Sequence, residues 1–293
     1  MAITADMVKK LRDQTGAGMM DCKKALGETN GDFDKAVTLL REKGIAVAAK
    51  REARTASEGM IGSFITADNG AGALAELNCE TTFVAKTDEF VALAQNLAKQ
   101  AVDAGNDDVA AILNMPYIAD NSRTTEVALT EIMGKVGEKM SFPRCARLDT
   151  EGKGIIGSYI HMGGQIGVMV QLNSEAKSDD VIQLAKDIAM HISWSNPEYM
   201  KREEIPQEAL EKERDVHKQW AIKEGKPVNI IDRIVEGRMK DFYSRICLVE
   251  QPFIKDEEQT IQNYINTVSK KVGSEISIAG YARFRVGEAS GDA

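Results

Sequence analysis

The chain has 293 residues, 28% of them charged and 43% hydrophobic, with a formal net charge of −8. That length allows about two domains and a sizeable core, while no apolar run approaches the ~20 residues of a membrane helix and the acidic balance argues against phosphate neutralisation as the main task. Four scattered cysteines, with no C-x-x-C pair and no histidine at zinc-ligand spacing, fit reduced thiols and no metal.

The opening "MAITADMVKKLRDQTG" has neither an apolar signal core nor the Arg-rich character of a transit peptide, so the cytoplasm is the expected location. Thr4 is an N-cap candidate for a helix that carries Met7, Val8 and Leu11 and stops at Gly16. A second helix runs from Gly18 with Met19, Cys22 and Leu26 in register, and a third from Asp32 to Gly44. Ala46 to Gly59, rich in Ala, Lys and Arg without an apolar stripe, reads as a partly helical linker.

From Gly59 the pattern alternates, and an internal repeat emerges. "GMIGSFI" (59–65) matches "GIIGSYI" (154–160), and "GALAELNCE" matches "GVMVQLNSE". The first copy then inserts Thr81, Thr82, Phe83 and Val84 before the match resumes at Ala85 and Ala176. Further on, "KVGEKMSFPRCARL" (135–148) aligns without a gap to "KVGSEISIAGYARF" (271–284). Each half is therefore two strands, a helix, an excursion, a helix and a returning strand, and two such copies indicate a duplicated subdomain. The second excursion, from Ser195 to about Glu258, is the longer one. In it Ala209, Glu213, Val216 and Trp220, then Ile231, Ile234, Val235, Met239 and Phe242, predict an antiparallel helical hairpin about "EGKP" (224–227).

Covalent chemistry has no visible site. There is no phosphate-binding G-x-x-x-x-G-K-[ST] loop, and "TGAGMM" (15–20) follows a helix instead of the strand a dinucleotide fingerprint needs. His161, His191 and His217 are far apart, with no nucleophile motif beside them. The remaining features suit contact with another protein. Of Met19 and Met20, adjacent in the first turn of a short helix, either both pack internally or one faces outward. The insertion is one the second copy closes without, so Phe83 either projects as a wedge or fills a local gap.

"LRDQTGAGMMDCKKAL", "NCETTFVAK", "GSYIHMGGQIGV", "AMHISWSNPEYM", "VEGRMKDFYSRICLVEQPFI" and "ARFRVGE", in order and across nearly the whole chain, resemble the bacterial elongation factor Ts family. The resemblance implies an α+β fold: an N-terminal three-helix module like a ubiquitin-associated domain, a duplicated α/β core with antiparallel sheets, and an inserted helical hairpin. The expected division is 1–54 for the helical module and linker, 55–150 for the first core subdomain, 151–194 for the first part of the second, 195–245 for the hairpin, and 246–293 for the remainder with a C-terminal module.

It further implies a guanine nucleotide exchange factor that acts without covalent chemistry. Such a factor binds elongation factor Tu, GDP-bound or nucleotide-free, and releases GDP by disturbing the partner's Mg²⁺ and phosphate site. Thr82, Phe83 and Val84 match the segment that enters that site, and Met19 and Met20 lie in the module expected to touch the GTPase domain. His161, Gly164, Ile166 and Gly167 match a second contact. The family's usual T-D-F-V has Thr82 here in place of Asp, and a hydroxyl supplies no carboxylate charge. Exchange is then expected to lean on Phe83. No cofactor, metal, directly bound nucleotide, nucleic acid or membrane is expected, and a homodimer through the hairpin is compatible with the sequence. The competing reading is a non-catalytic adaptor or chaperone of a translation GTPase.

Overall fold

The structure, a computed structural model, describes residues 3–15, 17–51 and 54–288, with backbone alone for 45–51. The expected stop at Gly16, the Glu52–Ala53 step of the linker and the residues beyond Glu288 lie outside the described residues.

Three helices open the chain: α1 (Ala5–Thr15), α2 (Met19–Glu28) and α3 (Phe33–Arg51). The Thr4 hydroxyl caps α1 by accepting from the Met7 amide at 3.2 Å, and Asp32 caps α3 through the Lys35 amide at 3.1 Å. Val8, Leu11, Cys22, Ala25, Leu26 and Ala36 form their common core. The third helix continues through Gly44, where an end was expected. "AVAAK" is a strong helix former, and the close approach at this point belongs to Gly134: a Cβ built there would lie 3.4 Å from the Gly44 Cα, whereas one built on Gly44 would meet nothing within 4 Å.

The first copy then runs β1 (Glu58–Ile65), β2 (Ala71–Cys79), α4 (Thr82–Ala85), α5 (Asp88–Ala104), α6 (Val109–Asn114), β3 (Pro116–Tyr117), β4 (Asp120–Thr124), α7 (Thr125–Val136) and β5 (Ser141–Asp149). Gly134 lies in α7, so the helical module seats on this unit through α3 and α7, where Arg41 also pairs with Glu131 at 2.5 Å. The second copy runs β6 (Ile155–His161), β7 (Ile166–Asn173), α8 (Asp179–Ser195), an inserted α9 (Gln207–Lys223) and α10 (Val228–Ile246), β8 (Pro252–Phe253), β9 (Asp256–Thr260), α11 (Ile261–Val272) and β10 (Ser277–Arg285). The main sheets are antiparallel, in the orders β1-β2-β5 and β10-β7-β6, so β2 and β7 are the equivalent central strands.

Helix periodicity and strand alternation explain the layers. The buried face of α5, Phe90, Leu93, Ala94, Leu97, Ala98 and Ala101, recurs in α8 as Val181, Leu184, Ala185, Ile188, Ala189 and Ile192. Each face packs on its own sheet, and the approach is closest at a glycine. A Cβ at Gly62 would fall 2.1 Å from the Ala94 carbonyl oxygen, and one at Gly157 would fall 2.6 Å from the Ala185 Cβ. The opposite sheet faces meet each other through Ile61, Leu74, Ile156, Met169 and Phe284, which explains why β2 is buried on both sides. The Ser63 and Ser158 hydroxyls, equivalent in the repeat, lie 3.3 Å apart across this contact.

The hairpin has its own small core of Ile205, Ala221, Ile231, Val235, Met239, Tyr243, Ile246 and Cys247. Its stripe on α9 keeps the expected Ala209 and Glu213 but not Val216 and Trp220. Leu210, Glu213, His217 and Ala221 face α10, while Val216 and Trp220 are exposed and Arg238 lies 4.7 Å over the Trp220 ring. Apart from Leu210, the inward positions of α9 are small or polar, so most of the larger apolar side chains come from α10. The root is held by the Glu198 and Tyr199 amides, both donating to the Ile246 carbonyl.

Candidate functional site

The four residues that the second copy lacks build a single helical turn between β2 and α5. Thr81 is extended at φ −131°, and its hydroxyl accepts from the Val84 amide at 3.4 Å, which caps α4. Val84 and Ala85 enter the core beneath β1 and β2. At the far end the Thr87 hydroxyl donates to the Val84 carbonyl at 2.8 Å and also caps α5. A one-turn helix has little intrinsic stability, so these anchors fix which side chains it turns outward. Those are Thr82 and Phe83, the latter 85% exposed.

A carboxylate from the other end of the unit completes the anchoring. After α7, Gly137 takes the left-handed conformation at φ 88° and reverses the chain. Glu138 then accepts three hydrogen bonds: from the Glu80 amide at 3.1 Å, the Thr81 amide at 2.9 Å and the Thr81 hydroxyl at 2.6 Å. Reciprocally, Glu80 accepts from the Lys139 amide at 2.6 Å and pairs with Arg54 at 3.2 Å. The Cys79 thiol donates to the Thr81 carbonyl at 3.2 Å. Burial, reinforced by the Glu138 charge, pushes that thiol up to about 11, so it keeps its proton at neutral pH.

The other expected contact residues stand on different elements. Met19 and Met20 are both exposed in the first turn of α2, at 46% and 74%. His161 and Ile166 are cross-strand partners at the β6–β7 turn, both half-buried, with His161 Nδ1 3.1 Å from the Tyr159 hydroxyl. Gly164 and Gly167 are buried inside the molecule. A Cβ on Gly164 would meet Met60 at 2.8 Å, and one on Gly167 would meet Ile61 at 2.5 Å, so both glycines let the two units pack closely. Val84 is likewise buried. Two further features escaped the sequence reading. Met162, at the tip of the same turn, is 71% exposed at φ 49°, a conformation unusual for a residue with a Cβ. Its signal was a large apolar residue directly before Gly163-Gly164. Glu138 was the other, and its signal was its alignment with Ser274 in the copy that lacks the insertion.

A family model described as Elongation factor TS matches residues 80–288. Elongation factor Ts of Clostridium novyi (strain NT) is 44% identical over 98% of this chain and 93% of its own, and that of Clostridium tetani (strain Massachusetts / E88) is 46% identical over 98% and 94%. The chain belongs to the elongation factor Ts family. It is thus a member of a family of translation elongation factors with an α+β fold.

Among the described residues no group of acidic, histidine and cysteine side chains could hold a metal, and no helix is long and apolar enough to cross a membrane. A cleft of about 390 Å³ is lined by His191, Trp194, Arg245 and Gln251 among others. Both ring nitrogens of His191 are engaged, Nε2 with Gln251 Oε1 at 2.9 Å and Nδ1 with the Ile254 amide at 3.3 Å. Because an amide can only donate, Nδ1 accepts and the ring is held neutral; burial lowers its pKa in the same sense. The thiols of Cys145 and Cys247 are pushed up by burial to about 12 and about 11, outside the range of reactive cysteines.

Proposed function

We propose that this elongation factor Ts chain is a guanine nucleotide exchange factor for elongation factor Tu, acting by protein binding alone. The observation that carries this reading is Phe83, a large apolar side chain held outward on a turn that Thr81, Val84 and Thr87 anchor. A buried Phe side chain contributes about 1.5–3 kcal/mol relative to an exposed one, so a scaffold that leaves it in water suits a ring completed by a partner.

The mechanism follows from linkage. If binding of the factor weakens nucleotide affinity by some ratio, nucleotide weakens the factor's affinity by the same ratio. A wedge that enters the partner's Mg²⁺ and phosphate region needs only to favour the nucleotide-free arrangement, and the factor itself needs no nucleotide motif. Met19 and Met20 on the helical module, with His161 and Ile166 at the β6–β7 turn, are assigned to separate docking contacts that hold the wedge in place. The buried Gly164, Gly167 and Val84 support those contacts from within.

Stopped-flow release of fluorescent GDP from elongation factor Tu of the same organism tests the reading. Saturable acceleration with rising factor concentration is the expected result. Binding without acceleration would overturn it in favour of an adaptor.

A further inference from the structure

We propose that Glu138 is a positioning residue for the exchange reaction, holding the Phe83 turn in the orientation the partner receives; the proposal rests on the exchange reading above. The duplication supplies the argument. Glu138 aligns with Ser274, each directly after the left-handed glycine that ends the second long helix of its copy, Gly137 in one and Gly273 in the other. Ser274 bonds locally, its amide to the Ser269 carbonyl and its hydroxyl to the Glu275 carbonyl at 3.5 Å. Glu138 instead reaches a residue 57 positions away, and the residue it grips is the cap of the inserted turn. The copy with the insertion has the carboxylate, the copy without it has a serine, and the two differences touch each other.

The geometry says what the carboxylate does. A cap normally leaves its own amide and hydroxyl proton to solvent. Here one carboxylate takes both, orienting the Thr81 hydroxyl so that its lone pair faces the Val84 amide at 3.4 Å. Charge-assisted hydrogen bonds of this kind are roughly twice as strong as neutral ones. The same carboxylate holds the Glu80 amide, and Glu80 holds the Lys139 amide in return, so β2 and the segment leading into β5 are clasped on either side of the turn. With Glu138 shortened, Val84 and Ala85 still favour burial and Thr87 still holds the Val84 carbonyl, but the Thr81 end of the turn loses the carboxylate that fixes its amide and hydroxyl, and the direction in which Phe83 leaves the surface is less tightly set.

The test compares Glu138→Ala, Glu138→Gln, Phe83→Ala and the Glu138→Ala/Phe83→Ala double variant in GDP release from elongation factor Tu, with amide hydrogen exchange on each free full-length chain. Misplacing a positioned group by about 1 Å can cost on the order of 100-fold, and Glu138→Ala is expected to slow release from the saturated complex about ten-fold or more. Glu138→Gln, which keeps an acceptor oxygen, falls between it and the unsubstituted chain. Added to Phe83→Ala, Glu138→Ala should cause no further loss, because it acts through the ring that is already absent. In the free chain the amides of Val84, Ala85 and Lys86, none bonded to Glu138, should exchange faster while those of α5 do not. A multiplicative loss in the double variant, or unchanged exchange at Val84 to Lys86, would overturn the proposal. If the unsubstituted chain fails to accelerate GDP release, the exchange reading falls, and the amide measurement alone still decides whether Glu138 orders the turn.

Discussion

Phe83 and Thr82 are adjacent and exposed on the same turn, yet they differ in what their loss removes. Truncating an aromatic anchor at a protein interface costs about 2 kcal/mol or more, roughly 30-fold. Phe83→Ala is therefore expected to slow stimulated GDP release by about that factor in stopped-flow, with an unchanged unfolding midpoint because the ring is already in water. Thr82→Ala removes at most one neutral hydrogen bond, about 1 kcal/mol or five-fold, and equal effects of the two substitutions would refute the leading role of the ring. His191 allows a pH prediction. Burial, against the opposing Gln251 hydrogen bond, lowers its pKa from 6.5. Below pH 6.5 the unfolded chain takes up a proton that the folded ring refuses, so stability is fully present above that pH and falls as pH drops toward the folded value. Urea unfolding from pH 8 to pH 5 should show this decline, and the decline between pH 6.5 and 5.5 should be smaller in His191→Gln.

Among the elements, the strand–helix approach in each copy depends on a missing side chain. Gly62→Ala would push a methyl group against the Ala94 carbonyl, which cannot move without the helix, and overpacking of this kind costs about 1–3 kcal/mol. A urea midpoint unchanged by Gly62→Ala would contradict that packing. The α9 helix presents a different case, since Ala221 is its one fully buried side chain. Its amides should exchange with solvent well before those of α8, which buries nine residues. These contrasts also show what a sequence reading can reach. Both strand pairs, the long helices and the hairpin were legible because periodicity is a property of neighbouring residues and the internal repeat can be read by comparing the sequence with itself. The overrun of α3 was not, because a glycine ends a helix only where the chain leaves the helical conformation, and the helix-forming "AVAAK" that follows carries α3 through Gly44. The second half of the α9 stripe was misjudged, with Val216 and Trp220 expected inward where His217 and Ala221 are, because His and Ala give no apolar contrast. At the candidate site, the extra turn was visible as a gap in the repeat, but one turn has no period to say that Val84 goes in and Phe83 out. The packing role of Gly164 and Gly167 depends on Met60 and Ile61, which only the folded chain brings near.

Across the whole molecule, the two units are held by more than apolar contact. Glu76, buried in β2, accepts from Arg144 Nε at 2.7 Å and from the Gly287 amide at 2.9 Å, while Arg144 donates to the Arg285 carbonyl and lies 4.3 Å over the Phe284 ring. The end of β10, which belongs to the second sheet, is thereby fastened to the first. Breaking a buried ion pair from one side costs about 3–5 kcal/mol, so Glu76→Ala should lower unfolding stability by that order and raise amide exchange at Gly287.

The Ser63–Ser158 contact has a consequence of another kind. Equivalent residues can touch each other only on the axis that relates the copies, as they do in a two-fold homodimer. Within a single chain such a contact is formed once, and the two sides are free to differ. A change at Ile61 or Ile156 must satisfy both halves, whereas a change far from the axis concerns one half alone. The wedge turn and the hairpin both arise away from Ser63 and Ser158, one in each copy. Duplication thus separates a constrained seam from two independently editable ends, a division that a symmetric pair of identical subunits does not have.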